Sequence, residues 1–136
     1  MNPTVKDRDI LIYERISLYR GDLERGDMVV FYNSEARKKV LKRVIGISGD
    51  TINIKDGKVY LNGKELEEAY LSDGVETDRQ LGSTSRKWSI PEGYIFVMGD
   101  NRNASTDSRD FGYISNKYLR GRILGRIYPF NKIRLF

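Results

Sequence analysis

Residues 51–61 read TINIKDGKVYL, in which two short runs of β-branched and aromatic residues flank the pair Asp56-Gly57. Such a pair favours a tight hairpin turn, because the turn needs positive φ angles that aspartate and glycine adopt readily. Asn62-Gly63 follows at once and predicts a second turn. This stretch therefore predicts antiparallel strands joined by tight turns.

The rest of the chain repeats this pattern of short apolar runs. Further strands are predicted at 10–13, 28–31, 40–47, 94–98, 124–128 and 133–136. Helix signals are scarce, with one helical turn expected at 115–119, and the polar segment at about 67–87 is predicted to be a mobile excursion. We expect one domain over residues 1–136, mostly β, whose coiled antiparallel sheets form a small barrel-like structure.

The composition is that of an ordinary globular domain. Hydrophobic residues make up 39% of the 136 residues and charged residues 32%. The formal charge of +5 is spread among interspersed acids and bases, which is typical of a solvated surface. A nucleic-acid-binding β-barrel is an alternative that the charge alone suggests, and it would show a strongly salt-dependent affinity for oligonucleotides. We expect no nucleic-acid partner.

The chain contains neither cysteine nor histidine. This excludes disulfides, cysteine proteases, histidine-based catalytic triads and the usual zinc sites. An acid–base enzyme built from this sequence must use lysine, aspartate, glutamate or tyrosine, and we expect no metal or cofactor. The sequence also has no run of about 20 apolar residues that could span a membrane.

Lys42 stands inside the apolar stretch of residues 40–47. Burial disfavours the charged form of a lysine and lowers its pKa, so that a neutral amine near pH 7 can act as a general base. The alternative is that Lys42 extends to the surface and keeps its amine in water.

A polar loop, GDNRNASTDSR at residues 99–109, follows the apolar run at 94–98. Asp107 and Arg109 are spaced to pair, and Ser105 offers a hydroxyl to a nearby polar group. Taken alone, the loop is equally compatible with a polar surface turn.

Together, these segments resemble the type I signal peptidases, a family of bacterial serine–lysine proteases. The resemblance rests on KRVIG at 42–46, GDNR at 99–102 and STDSR at 105–109. RGDMVVF at 25–31 is similar to a third segment of that family, and MNPTV at 1–5 is similar to the segment that follows the nucleophilic serine. The segments occur in the family's order and span nearly the whole chain.

The resemblance implies a role for each matching residue. Lys42 would be the general base, Ser105 would orient its amine, and Asp107 and Arg109 would form a salt bridge that shapes the loop. We expect Lys42 to be largely buried on a strand, within hydrogen-bonding distance of Ser105. Shallow apolar pockets for the small side chains at −1 and −3 of an extended signal peptide would be lined by Met1, Val5, Leu11, Val30, Val40 and Leu41.

The resemblance also implies the setting of the parent protein. It would be an endopeptidase that removes signal peptides from preproteins at the outer face of the cytoplasmic membrane, held there by an anchor before Met1. An exposed apolar patch near both ends of the chain would meet the bilayer, unless these residues instead fill the core. We expect this patch to include Met1, Val5, Ile10, Leu11, Ile12, Tyr128, Phe130 and Phe136.

Some features depart from the family pattern. The nucleophilic serine would directly precede Met1, so the polypeptide 1–136 is expected to be inactive. Ser48 replaces a common proline, and Asn103-Ala104 replaces a common Asp-Asn. Two alternatives remain: a non-catalytic signal-peptidase-like protein that assists assembly of surface structures, and a serine–lysine protease of the self-cleaving repressor type.

Overall fold

The protein is seen in a computed structural model that describes residues 1–78 and 85–136. Within these residues the chain forms short strands with few helices, as the sequence predicts. The strands are β1 (Ile10–Glu14), β2 (Met28–Asn33), β3 (Lys38–Gly46), β4 (Thr51–Lys55), β5 (Lys58–Leu61), β6 (Lys64–Glu65), β7 (Arg86–Ser89), β8 (Tyr94–Met98), β9 (Ile114–Ser115), β10 (Leu119–Tyr128) and β11 (Arg134–Leu135). The α-helices are α1 (Ile16–Arg20) and α2 (Ser108–Phe111).

The strands form two antiparallel sheets. The larger has the order β1-β10-β2-β3-β8-β9, with β11 paired to β10, and the smaller has the order β6-β5-β4-β7. Register shifts interrupt the pairing of β10 with β1 and β2 and that of β3 with β8, and such bulges bend and twist a sheet. The predicted mostly-β fold with coiled antiparallel sheets is confirmed. Both sheets keep open edges, so barrel-like describes the coiling only loosely.

The hairpin predicted at residues 51–61 joins β4 to β5. Asp56 has φ 50° and Gly57 has φ 76°, as a turn with two left-handed central residues requires. The second turn, at Asn62-Gly63, likewise has positive φ angles of 51° and 85° and leads into β6. Turn chemistry thus fixes the register of β5 against β4 and of β6 against β5.

Two apolar clusters lie on opposite faces of β3 and β8. Val44 and Val97 belong to one cluster, and Ile45 and Phe96, their neighbours in sequence, belong to the other. Successive side chains of a strand point to opposite faces, so these two strands are buried on both sides. The strand that contains Lys42 is therefore held from two directions.

The polar excursion expected at about 67–87 is only partly described, since residues 79–84 lie outside the described residues. Its last two residues, Arg86 and Lys87, belong to β7, which pairs with β4. The sequence missed β7 because only Trp88 gives it an apolar face, packed 4.9 Å from the ring of Phe96. The mobility of the excursion stays a prediction.

Candidate active site

Lys42 lies on β3, opposite Val29 of β2, and its side chain is half-buried. Its Nζ donates a hydrogen bond of 2.7 Å to Ser105 Oγ. Burial is the main cause that lowers the pKa of Lys42, and the positive charges of Arg109 and Lys38 lower it further, against the opposing effect of nearby carboxylates. The structure thus places Lys42 on a strand and within hydrogen-bonding distance of Ser105, as expected, although Lys42 is less completely buried.

Gly99 provides the space in which these two side chains meet. A Cβ atom at this position would lie 2.1 Å from Ser105 Oγ, 2.6 Å from Ser105 Cβ and 3.5 Å from Lys42 Nζ. Any larger residue would displace the serine hydroxyl from the lysine amine. The glycine is therefore a geometric requirement of the Lys42–Ser105 contact.

Asp107 and Arg109 pair within the loop that presents Ser105. Two guanidinium nitrogens of Arg109 lie 2.9 Å from the two carboxylate oxygens of Asp107, which also accepts 2.9 Å from the Gly99 amide. Asp107 is also the N-cap of α2, where it forms a capping box with Asp110. Burial raises the pKa of Asp107, but the Arg109 interactions and a hydrogen bond from Ser105 outweigh it and lower the pKa.

Side chains from residues 68–78 bind the two arginines of the loop at 99–109. Arg109 donates 2.8 Å to Asp78, and buried Arg102 donates 2.7 Å to Thr77 Oγ1 and forms a bidentate pair with Glu68. Sequence reasoning missed Glu68, Thr77 and Asp78 because they lie in the polar segment assigned to the excursion.

A second buried ion pair fastens the N-terminal segment. The Arg43 guanidinium donates to both oxygens of Asp100, at 2.9 and 2.7 Å, and the Thr4 hydroxyl donates 2.5 Å to the same carboxylate. The Arg43 guanidinium also lies 4.1 Å from the Tyr70 ring centroid, and Arg126 donates 3.0 Å to the Thr4 carbonyl. Arg43 and Asp100 stand in the segments on which the resemblance rests, but no pattern in these segments predicts their pairing.

A groove of about 770 Å³ lies beside Lys42. Four of the six residues expected to bind substrate line it, together with a polar rim that includes Lys6 and Lys38. These four are Met1, Val5, Val40 and Leu41. The other two are only half-buried elsewhere in the sheet and do not line the groove: Leu11 pairs with Arg126, and Val30 pairs with Leu41 and Gly121.

Among the described residues, the backbone of β3 is paired on only one side along this groove. β2 pairs with β3 from Lys38 to Arg43, whereas β8 begins its pairing only at Arg43. Residues 38–42 therefore present a free strand edge toward the groove, and an extended peptide can add to such an edge. The Met1 amine is also near: burial, and next the charge of Lys42, lower its pKa.

Within residues 1–78 and 85–136, no group of three or more acidic side chains is placed to hold a metal ion. No helix in that part of the chain is both long and apolar enough to cross a bilayer.

The chemistry available to this arrangement is proton abstraction by a desolvated lysine beside a peptide-sized groove, as in serine–lysine hydrolases. A family model described as "Signal peptidase, peptidase S26" matches residues 1–128, and the chain belongs to this family.

Relatives with this name are similar over nearly the whole chain. The chain is 38% identical to a signal peptidase I of Bacillus licheniformis, over 98% of this chain and 75% of that protein. It is 37% identical to a signal peptidase I of Leptolyngbya laminosa, over 98% of this chain and 66% of that protein. A crystal structure of a signal peptidase I from Enterococcus faecalis V583 superposes with a TM-score of 0.60 at 29% identity, over 74% of this chain and 95% of that one.

Proposed function

We propose that this chain is the catalytic part of an endopeptidase that removes N-terminal signal peptides from exported preproteins by a serine–lysine dyad. The observation that carries the proposal is the 2.7 Å hydrogen bond between Lys42 Nζ and Ser105 Oγ, beside a groove with a free strand edge. Membership of the signal peptidase family supports the substrate class.

Lys42 acts as the general base. Its lowered pKa leaves a larger neutral fraction near pH 7 than an exposed lysine has. The neutral amine takes the proton of a serine hydroxyl while the oxygen attacks the scissile carbonyl, and the protonated amine then returns that proton to the leaving amine. The resulting acyl-enzyme is hydrolysed by a water that Lys42 deprotonates in turn.

Ser105 orients the amine rather than attacking the substrate. Its Oγ lies where a Cβ atom on Gly99 would be, accepts a 2.7 Å hydrogen bond from Lys42 Nζ and contributes a hydrogen bond to Asp107. Accepting a hydrogen bond from Lys42 Nζ would fix the direction of the amine lone pair. Asp107 and Arg109 hold the loop that places this hydroxyl.

The substrate binds as an extended strand along residues 38–42. Met1, Val5, Val40 and Leu41 form the apolar walls for its small side chains. Leu11 and Val30 are proposed only as support for these walls, because neither lines the groove.

The nucleophile is a serine directly before Met1, a position that the printed sequence does not contain. Met1 and Lys42 line the same groove, which supports this position. We infer that the polypeptide 1–136 alone is inactive.

The enzyme works at the outer face of the cytoplasmic membrane, docked by an exposed apolar face at β1, the end of β10 and the C-terminus. Phe130 is 77% exposed, Ile133 62% and Leu135 83%. Soluble domains rarely leave such side chains contiguous without a partner. We define the apolar face as Ile10, Ile12, Tyr128, Phe130, Ile133, Leu135 and Phe136. Met1, Val5 and Leu11 were expected in the same exposed patch, but they are half-buried and are not included in this face.

Cleavage of a soluble signal-peptide substrate tests the proposal with four polypeptides: residues 1–136, the same chain with a serine-containing segment before Met1, and the Ser105→Ala form of each. We expect activity only with the added serine, and a loss of at least about a hundredfold on Ser105→Ala, as general-base catalysis typically contributes. Lys42→Met should abolish activity.

Two outcomes would contradict the proposal. Activity of residues 1–136 that disappears in Ser105→Ala would make Ser105 the nucleophile. A folded, serine-extended chain that binds signal peptides without cleaving them would favour the non-catalytic alternative.

A further inference from the structure

A second cavity, of about 620 Å³, lies between the N-terminal segment and the C-terminal strand, and it shares Lys6 with the rim of the Lys42 groove. One carboxylate, that of Asp9, lines it together with five cationic side chains. We call it the cationic cavity and define it by Lys6, Arg43, Arg126, Lys132 and Arg134. Its volume suits a small ligand rather than a single ion.

Internal ion pairs neutralise only two of these cations. Arg43 pairs with Asp100, and Arg126 pairs with Asp9 at 2.9 Å. The amide of Lys6 and the Arg126 guanidinium lower the pKa of Asp9, which keeps its carboxylate charged. In the part of the chain that the structure describes, no carboxylate forms an ion pair with Lys6, Lys132 or Arg134. The cavity therefore retains a net positive charge that an anion would balance.

The donors converge from different parts of the chain. Arg126 is anchored by the carbonyls of Thr4 and Lys132, so its guanidinium is fixed at the wall of the cavity. Arg134 lies on β11 with its guanidinium 5.5 Å from the Phe136 ring centroid. Planar guanidinium groups match the oxygens of a phosphate group.

The cavity adjoins the apolar face, and this continuity indicates which anion it receives. Phe136 lines the cavity, and Leu135, which neighbours Arg134 in β11, is among the most exposed apolar residues. A ligand with a phosphate on one side and hydrocarbon on the other would contact both surfaces. Anionic phospholipids have this combination, whereas free phosphate and nucleic acids lack the hydrocarbon.

We propose that the cationic cavity binds the phosphate of an anionic phospholipid headgroup, while the apolar face contacts the acyl chains. This inference rests on the membrane-facing part of the proposed function and adds a ligand chemistry to it. The bound headgroup would fix the orientation of the Lys42 groove relative to the bilayer.

The test compares binding of residues 1–136 to vesicles of phosphatidylcholine with and without phosphatidylglycerol. The double variant Lys132→Gln/Arg134→Gln removes two cations from the cavity, and the control Lys55→Gln/Lys64→Gln removes two exposed cations from the smaller sheet. We expect the first to weaken binding to phosphatidylglycerol vesicles at least about tenfold and the control to stay within about twofold.

A second measurement does not depend on any variant. Monomeric dihexanoylphosphatidylglycerol should shift the NMR signals of Arg126 and Tyr70 saturably, and inorganic phosphate should do so much more weakly. Equal losses in both double variants would overturn the site in favour of diffuse attraction. Saturation by inorganic phosphate without vesicle binding would overturn the lipid assignment.

The same data separate this inference from the proposed function. If pure phosphatidylcholine vesicles bind as well as the anionic ones, the headgroup site is wrong and the membrane-facing claim stands. If the protein binds no vesicles, the headgroup site and the membrane-facing claim are both wrong. Cleavage of the soluble peptide still tests the serine–lysine dyad.

Discussion

Asp107 is a buried carboxylate that connects several parts of the active-site loop. It receives the guanidinium of Arg109 and the amide of Gly99, and it caps the helix α2. Its side chain has no exposed surface, so each of these donors would be left unsatisfied in the dry interior if the carboxylate were removed.

We expect Asp107→Ala to lower the free energy of unfolding by about 3 kcal/mol, as for a buried pair that loses one partner. The control is Lys58→Ala, which breaks an ion pair whose side chains are 55% and 51% exposed and should lower the free energy of unfolding far less. Urea denaturation measures both. Equal costs for the two variants would contradict the structural role of Asp107.

Lys38 gives a residue-scale test of the lysine base. Its positive charge is one of the causes that lower the pKa of Lys42, so Lys38→Gln should raise that pKa. If Lys42 is the general base as proposed, only its neutral form is active, so kcat/KM of the serine-extended chain should rise with pH through this pKa. The acidic limb of the plot of kcat/KM against pH should therefore move to higher pH in the Lys38→Gln variant. Lys39→Gln removes a neighbouring charge that does not affect the Lys42 pKa in this way, and an equal shift there would refute the assignment.

At the scale of elements, the N-terminal segment lies outside the strands and is fastened mainly through Thr4. The hydroxyl of Thr4 contacts Asp100, and its carbonyl accepts from Arg126. The segment leads directly to the proposed nucleophile, so its fastening determines the distance between the serine and Lys42.

Thr4→Val should therefore release the segment. We expect a loss of about 1.5–3 kcal/mol in unfolding free energy, typical of a hydrogen bond to a charged group, and faster amide exchange in residues 1–9. In the serine-extended chain kcat should fall, while Thr4→Ser, which keeps the hydroxyl, should restore most of it. A variant that loses stability but keeps full kcat would show that the fastening does not position the nucleophile.

The elements differ in how well the sequence predicts them. The hairpin of β4 and β5 is predictable because Asp56-Gly57 specifies its turn locally. In contrast, β7 and α2 are set by tertiary contacts: β7 by its pairing with β4, and α2 by the Asp107 cap. Short polar elements of this kind have no periodic apolar signal that sequence reasoning can detect.

At the scale of the whole molecule, the apolar face and the groove serve two different parts of the proposed function, which are membrane docking and peptide cleavage. The face is formed by β1, β10 and the C-terminus, whereas the groove lies along β3 and the first residues of the chain. A loss of membrane docking should then be separable from a loss of catalysis.

We expect Phe130→Ser/Leu135→Ser to leave cleavage of a soluble peptide unchanged and to reduce cleavage of a preprotein embedded in vesicles by about tenfold or more, given about 1.5–3 kcal/mol for each large apolar side chain that is buried. Tyr118→Ser, at a residue that is 64% exposed outside the apolar face, is the control. Equal loss with both substrates would mean that the face supports catalysis directly.

The candidate site was predictable only in part, and the reason is physical. The Lys42–Ser105 contact follows from the family resemblance, since no local pattern brings together two residues so far apart in sequence. Arg43 and Arg102 read as surface charges but are only 8% and 3% exposed. Their burial depends on acidic partners from distant segments, and a single sequence does not reveal such pairings.

The carboxylate of Asp100 is the point at which three separate lengths of the chain meet: the segment before β1 through Thr4, the base strand through Arg43, and its own loop. Asp100 is therefore a common reference point for the positions of all three. Displacements add up when segments are positioned one after another, but segments that contact the same residue move with it and keep their distances from each other. Thermal motion in the distant hairpins should therefore move the proposed nucleophile, the proposed base and the orienting serine together, and the sub-ångström spacing that proton transfer demands would be kept.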